Sequence, residues 1–445
     1  MAKHPISRRQ FLHGLTATAV ASPFLAIPAR GAALTKVRHA SIGTSGQAFS
    51  DLNQFSTHPA FELVAVADVD LCVVSRLQER FPQIRIYQDW RELLKREKNN
   101  IDSVNVSTPD HIHAIVAIEA MKRGKHVYCQ KPLASTLDEV RRMTEEARKR
   151  HVLTQMGIQI SSTTPQRHGE AIARSGAIGK VKEVHAFCEK SWGDEKPIPE
   201  GADPVPPTLD WDLWQGGAEP RPYKKGLYHP GNWRKRVDFG TGTLGDMGCH
   251  IFSPPYRALK LTSPISITSH GPAPSAQNWA THAKLHYVFP GTEFTADKTI
   301  DFWWYDGGEA APAHVADACG DKLPKTGVVF MGTDGVLVLP HVQEPFILPD
   351  SRAMAASALV AKLLQEIAPR DHYAEFVDGV LAGATQPLST SFDYAGPLTE
   401  SVLLGNVAGR FPGQTLEFDG QALNFPKQRE ANAWVTRRYR KGWKV

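Results

Sequence analysis

The sequence predicts an α/β protein: an N-terminal doubly wound parallel sheet of the Rossmann type, then an α+β domain with a largely antiparallel open sheet. Three observations carry this. Short apolar runs alternate with helical stretches from Val37 to Met156, the pattern of parallel strands joined by helical crossovers. The first run ends in a glycine-rich turn, Gly43-Thr44-Ser45-Gly46-Gln47-Ala48. After residue 180 the strand candidates are joined by turns, notably Gly332-Thr333-Asp334-Gly335, as in hairpins. A chain of 445 residues is too long for one ordinary core, so two domains are expected.

In order, Val37–Gly43 alternates into an apolar strand end. The turn keeps the first glycine of a G-x-G-x-x-G pattern as Gly43, places Ser45 and Ala48 at the other two, and adds a permissive Gly46. Such a turn brings backbone N–H groups and a helix N-terminus against a pyrophosphate. Glu62–Asp68 is a buried strand ending in an acid, 25 residues after Gly43. That is near the spacing of about 20 at which a carboxylate holds the adenosine ribose. Gly43, Ser45, Gly46, Gln47 and Asp68 are therefore expected to bind a dinucleotide. Asp68 favours NAD over NADP, because it would repel a 2′-phosphate.

Val69–Phe81 and Asp89–Lys95 follow as helix candidates around a short strand, Ile84–Tyr87. Ser103–Ser107 is a strand, His111–Arg123 a helix, and His126–Cys129 a strand. Ser135–Lys149 carries Leu137, Val140, Met143 and Ala147 at helical spacing, and Leu153–Met156 closes the run. Ligands lie beyond the carboxyl ends of such strands. Gly43, Asp68, Thr108-Pro109 and Lys131 all fall there. Lys131 is delivered by the strand before it, and Pro132 cannot continue that strand inside a sheet.

The first residues read as an address. Ser7-Arg8-Arg9-Gln10-Phe11-Leu12 is a twin-arginine pattern, followed by an apolar run, Leu15–Ile27, and small residues at 29–33. This layout is that of a signal peptide over residues 1–33, which implies export to the periplasm. The apolar run is too short, and too rich in Thr, Ala and Pro, for a bilayer span. The formal net charge of +5 falls to +1 once Lys3, Arg8, Arg9 and Arg30 of this segment are set aside. A near-neutral body gives no electrostatic reason to expect nucleic-acid binding. The five cysteines, Cys72, Cys129, Cys188, Cys249 and Cys319, are widely spaced with no C-x-x-C pair. They suggest neither a metal centre nor a disulfide framework.

Together the motifs resemble the glucose–fructose oxidoreductase, inositol dehydrogenase and rhizopine-catabolism (Gfo/Idh/MocA) family. The matching pieces are the glycine turn, Ser107-Thr108-Pro109-Asp110-His111-Ile112-His113, Lys131-Pro132 and Gly245-Asp246-Met247-Gly248-Cys249-His250. The ending, with Glu430-Ala431-Asn432 and Tyr439-Arg440-Lys441-Gly442-Trp443, is similar too. The resemblance implies that residues 34–160 bind the nucleotide and 161–445 the substrate, with the C-terminal helix and tail packing back toward the first domain. It also implies that Thr108, Pro109 and His113 flank the cofactor's ribose and nicotinamide. The family's Glu-Lys-Pro is here Gln130-Lys131-Pro132. A lysine beside an amide lacks the support of a carboxylate, so either Lys131 loses its proton more readily than in relatives with the acid, or Gln130 simply satisfies a local hydrogen bond.

Asp246 and His250 stand four residues apart, on one face if helical. A histidine can move a proton at neutral pH, and a nearby carboxylate can orient it. By resemblance to the inositol dehydrogenases, Lys131 and His250 are the proton-handling candidates, with Asp246 in support. In the second domain Tyr228, His229, Trp233 and Arg234 suit a carbohydrate cleft, since rings stack on sugar faces and polar tips bond hydroxyls. Trp211 and Trp214 read as loop anchors. Further strands are expected at Val181–Glu189, Ile265–Ser269, Ala283–Phe289, Thr299–Trp304, Val328–Thr333 and Val336–Leu339, and helices at Thr164–Arg174 and His372–Leu381. Met354–Leu364 stays undecided.

The function implied is hydride transfer between a tightly held NAD and a ring carbon of a sugar, inositol or related polyol, with a homo-oligomer suggested by resemblance. Two alternatives stay open. One is a redox-neutral NAD-dependent glycosidase, which oxidises, eliminates, hydrates and reduces in one site. The other is a non-catalytic nucleotide-binding member.

Overall fold

The computed structural model describes residues 34–383 and 386–444; the twin-arginine segment lies outside them. Six strands form a parallel sheet: β1 (Val37–Ile42), β2 (Phe61–Ala67), β3 (Arg85–Tyr87), β4 (Ser103–Val106), β5 (His126–Gln130) and β6 (Thr154–Gly157). Their order is β3-β2-β1-β4-β5-β6. The order reverses between β1 and β4, which opens a crevice at their carboxyl ends. The crossovers are α1 (Gln47–Phe55), α2 (Ser75–Arg80), α3 (Trp90–Arg96), α4 (Asp110–Lys122) and α5 (Leu137–Arg150). β4 and β6 are buried at every position, as strands covered on both faces must be. A Thr136–Glu139 capping box starts α5.

The predicted helix Val69–Phe81 is broken. Asp70 accepts from the Cys72 N–H and starts a single 3₁₀ turn, and only Ser75–Arg80 is α-helical. Asp70 also bridges to Leu209 of the long 201–222 loop, and that pairing draws the backbone away from helical geometry.

After α6 (Thr164–Arg174), eight strands form the second sheet: β7 (Val181–Cys188), β8 (Ser266–Ser269), β9 (Ala283–Pro290), β10 (Thr299–Asp306), β11 (Gly327–Gly332), β12 (Val336–Pro340), β13 (Phe346–Leu348) and β14 (Thr415–Glu417). Their order is β13-β12-β11-β7-β10-β9-β8-β14. All neighbours are antiparallel except β7 and β10. The remaining helices are α7 (Trp211–Gln215), α8 (Gly242–Ala258), α9 (Ala313–Cys319), α10 (Asp350–Gln365), α11 (His372–Leu381) and α12 (Phe392–Ala408). The undecided stretch Met354–Leu364 is thus the body of α10.

The two sheets are tied by the returning chain. α12 packs on α5 of the first sheet and on α8 of the second. α11 lays Phe376, Val377 and Val380 against Val37, Phe55 and Tyr128. The tail places Trp443 6.5 Å from Trp90 and bonds Arg437 and Tyr439 to Glu139. Among the described residues no helix is long and apolar enough to cross a membrane.

Candidate active site

A single cleft of about 2020 Å³ runs between the sheets. Its walls include the glycine turn, Asp68, Thr108-Pro109, Lys131, Trp233, Arg234, Asp246 and His250. Residues 115 positions apart meet there because β5 ends at Gln130 while α8 runs its first turns against the same opening.

The nucleotide end is built from β1, α1 and β2. Gly43 has φ +97°, and a Cβ there would stand 2.4 Å from the Ser107 carbonyl oxygen. That backbone is strained for any side chain. α1 has Gly46 as its N-cap and no side-chain cap; the Ala48 N–H turns back to the Ser45 carbonyl (3.1 Å), and an uncapped helix end of this kind suits an anion. Ser45, Gly46 and Gln47 are exposed at this end. Asp68 accepts from the Thr44 N–H (2.9 Å) and hydroxyl (2.7 Å) through Oδ2, and from Asp70 N–H (3.1 Å) through Oδ1. Burial pushes its carboxyl up, against the pull of these donors. A glycine cradle, an uncapped helix end and an acid at the end of β2 fit a dinucleotide.

At the other end Lys131 Nζ donates to Asp246 Oδ1 (2.7 Å) and to the Asp246 carbonyl (2.9 Å). Asp246 Oδ2 accepts from Trp192 Nε1 (2.9 Å) and lies 3.4 Å from Lys190 Nζ. Arg234 spans Asp246 (3.4 Å) and Asp110 (3.6 Å). Asp110 in turn accepts from the N–H (3.0 Å) and hydroxyl (2.6 Å) of Thr241, anchoring the start of α8. Burial alone would raise the Asp246 carboxyl, but Lys131, Arg234 and Lys190 outweigh it and hold it well below the carboxylate range.

This corrects two expectations. The premise about Lys131 fails, because its carboxylate comes from Asp246 on α8 instead of from the neighbouring residue. Gln130 turns away and donates to both oxygens of Asp51 (2.9 and 3.1 Å). Asp51, fully buried, also accepts from Gln47 (2.8 Å), Ser107 (2.9 Å) and Tyr373 (2.9 Å). Burial pushes its carboxyl up while these donors pull it back. An amide at 130 suits this buried acid. The second correction concerns Asp246, which makes no hydrogen bond to His250. The His250 Nδ1 is buried without a partner, and its ring meets His341 edge-on at 5.8 Å. Burial, then Lys131 and His341, pull the His250 proton affinity well below the ordinary value. His341 is likewise pulled down to about 4 by burial, then Lys190 and Lys131.

Three further sequence candidates sit elsewhere. His113 is pinned between the Pro132 and Thr108 carbonyls, each 2.8 Å away, behind the cleft wall. It braces two cofactor-side loops. Tyr228 is 2% exposed within an aromatic cluster with Trp214 and Phe239. His229 lines the cleft but bonds Asp70 (3.0 Å), on the nucleotide side. Trp211 and Trp214 stack at 4.8 Å as loop anchors. Lys190, Trp192 and His341 were not singled out from the sequence. Their positions just past β7 and β12, facing the same opening, were the available signal.

A family model described as an oxidoreductase family with an NAD-binding Rossmann fold matches residues 37–158, and the family's C-terminal alpha/beta domain matches 182–295. The chain is 25% identical to levoglucosan dehydrogenase of Pseudarthrobacter phenanthrenivorans over 43% of its own length and 41% of that protein's. It is 34% identical to alpha-N-acetylgalactosaminidase of Shewanella oneidensis over 25% of its length and 26% of the relative's. Each match thus spans less than half of the relative. The crystal structure of the WlbA dehydrogenase from Chromobacterium violaceum, in complex with NADH and UDP-GlcNAcA, superposes with a TM-score of 0.61. The identity is 14%, covering 87% of this chain and 97% of that one; the likeness is one of fold.

Proposed function

Since this chain belongs to the Gfo/Idh/MocA oxidoreductase family, we propose that it moves hydride between a tightly held NAD and a ring carbon of a sugar or polyol. The observation that carries this is the single cleft joining the glycine turn and Asp68 to the Lys131–Asp246 pair and His250. Gly43, Ser45, Gly46, Gln47 and Asp68 would hold the dinucleotide, with Thr108 and Pro109 lining its path. When bound, the nicotinamide accepts hydride from a carbinol carbon and can return it.

The chain's own groups handle the proton. An ammonium has three donors, and Asp246 takes two of those on Lys131. The third is left to polarise the substrate hydroxyl. Asp246, kept ionised by the surrounding cations, holds that ammonium in place. His250 is neutral at physiological pH, the state a general base needs. Its Nδ1 is shut off, so Nε2 takes the hydroxyl proton. Arg234 lies where a sugar ring would meet these groups, and Trp233, buried in the aromatic cluster, carries the Arg234 guanidinium on its ring at 4.3 Å.

The twin-arginine pattern supports export with the cofactor aboard; cell fractionation tests it. Purified protein offered free sugars tests the main reading: formation of reduced nicotinamide supports it, and none across hexoses, inositols and their methyl glycosides refutes it. A second reading, a redox-neutral glycosidase, is favoured by the Shewanella relative's name. It requires aglycone release from a nitrophenyl glycoside without added NAD.

A further inference from the structure

The cleft does not stop at the Lys131–His250 group. It continues past His341 under α10, and this arm serves neither the dinucleotide turn nor the proton-handling residues. The whole cleft, dinucleotide end included, holds about 2020 Å³, more than the ordinary small-molecule range of roughly 300–1,000 Å³. The far wall carries an apolar run, Val342, Phe346 and Ile347 on one side and Ala353, Val360 and Leu364 of α10 on the other, beside Lys325 and the Lys322–Asp350 ion pair (3.6 Å). Ala353, Ser357, Val360, Ala361 and Leu364 recur at helical spacing, so one whole face of α10 looks into the cleft.

α10 is only partly covered by the protein itself: Ala353, Val360 and Leu364 rest against the core without being buried. Ala356 alone of its sixteen residues is buried, and Val342, at the mouth of the arm, is 72% exposed. An apolar face open to the same cavity as the candidate chemistry marks a ligand subsite.

We infer that this arm binds an apolar substituent of the substrate, so that the preferred substrate is a glycoside with an aryl or alkyl aglycone and not a free sugar or polyol. The inference presupposes the sugar-oxidising reading of the cleft. The sugar ring sits between Lys131 and His250, and the aglycone leaves the ring toward His341 and lies along α10. The arm has the composition of the moiety it takes, and it is continuous with the place where the sugar must sit. Met354 and Leu359 face outward, whereas Val360 and Leu364 line the cleft.

The test uses the full chain loaded with NAD. Methyl, phenyl and n-octyl glucosides and galactosides, below micelle-forming concentration, are compared by reduced-nicotinamide absorbance and by titration calorimetry. The phenyl and octyl glycosides are expected to exceed the methyl glycoside at least tenfold in kcat/KM and in affinity, since apolar burial scales with the area of the substituent. Val360→Asp, which places a charge on the wall, is expected to bring that ratio close to one. Turnover with equal kcat/KM for all three substituents overturns the subsite and leaves the oxidoreductase reading standing. Tighter binding of the phenyl and octyl glycosides with neither reduced nicotinamide formed nor aglycone released supports the subsite and refutes hydride transfer. Neither turnover nor preferential binding overturns both.

Discussion

Gln130→Glu is the sharpest perturbation this structure offers. The Gln130 amide donates to both oxygens of a fully buried Asp51, and among the described residues no cation pairs with that carboxylate. A glutamate there sets two carboxyl groups together out of water, and one must carry a proton in the folded state. In the unfolded chain it would ionise near pH 4.3, so the cost of keeping that proton is about 1.4 kcal/mol per pH unit above it. This gives an upper bound of about 5 kcal/mol at pH 8 and about 1 kcal/mol at pH 5. The sign follows from linkage. The folded variant binds more protons than the unfolded chain, so stability falls as pH rises through this window and recovers on acidification. Denaturant unfolding of wild type and variant at pH 5 and pH 8 measures it. The double variant Asp51→Asn/Gln130→Glu restores one acid and one amide and is expected to recover most of the loss. A variant as stable as wild type at pH 8, or a deficit that does not shrink at pH 5, would refute the pairing.

Other outcomes can be checked directly. Gly43→Ala forces a Cβ to 2.4 Å from the Ser107 oxygen at positive φ; nucleotide affinity measured by fluorescence should fall more than tenfold, and unchanged affinity would show the turn to be elsewhere. Lys131→Met should lower turnover by about 10²–10⁴-fold, the usual range for a group that assists proton transfer, with nucleotide still bound; more than a tenth of wild-type turnover contradicts the role. Because burial, Lys131 and His341 keep His250 unprotonated, kcat/KM should show no acid limb from it between pH 5.5 and 8. A limb centred near the ordinary histidine value of about 6.5 would contradict that assignment.

Much of the first domain is legible in the sequence. Its strands and most of its helices announce themselves by local periodicity, and the glycine turn and Asp68 by their places at strand ends. α12 was not legible. Thirteen of its seventeen residues are buried, so no polar face marks it. Pro397 and the glycines inside it read as breakers, although Gly396 is there because a Cβ would meet Thr144 at 2.3 Å. β13 and β14, three residues each, are too short to show alternation.

The sequence alone determined the kinds of chemistry present and their order along the chain: a nucleotide turn, a lysine at a strand end, an acid and a histidine four residues apart. Only the tertiary structure decided their pairing. Asp246 belongs to Lys131 and not to His250, Gln130 to Asp51 and not to Lys131, and His113 to the wall behind the cleft. Periodicity is carried by neighbours in the chain, whereas the partner of a buried charge is whatever the fold brings within about 3 Å of it, here from residues 79 and 115 positions away.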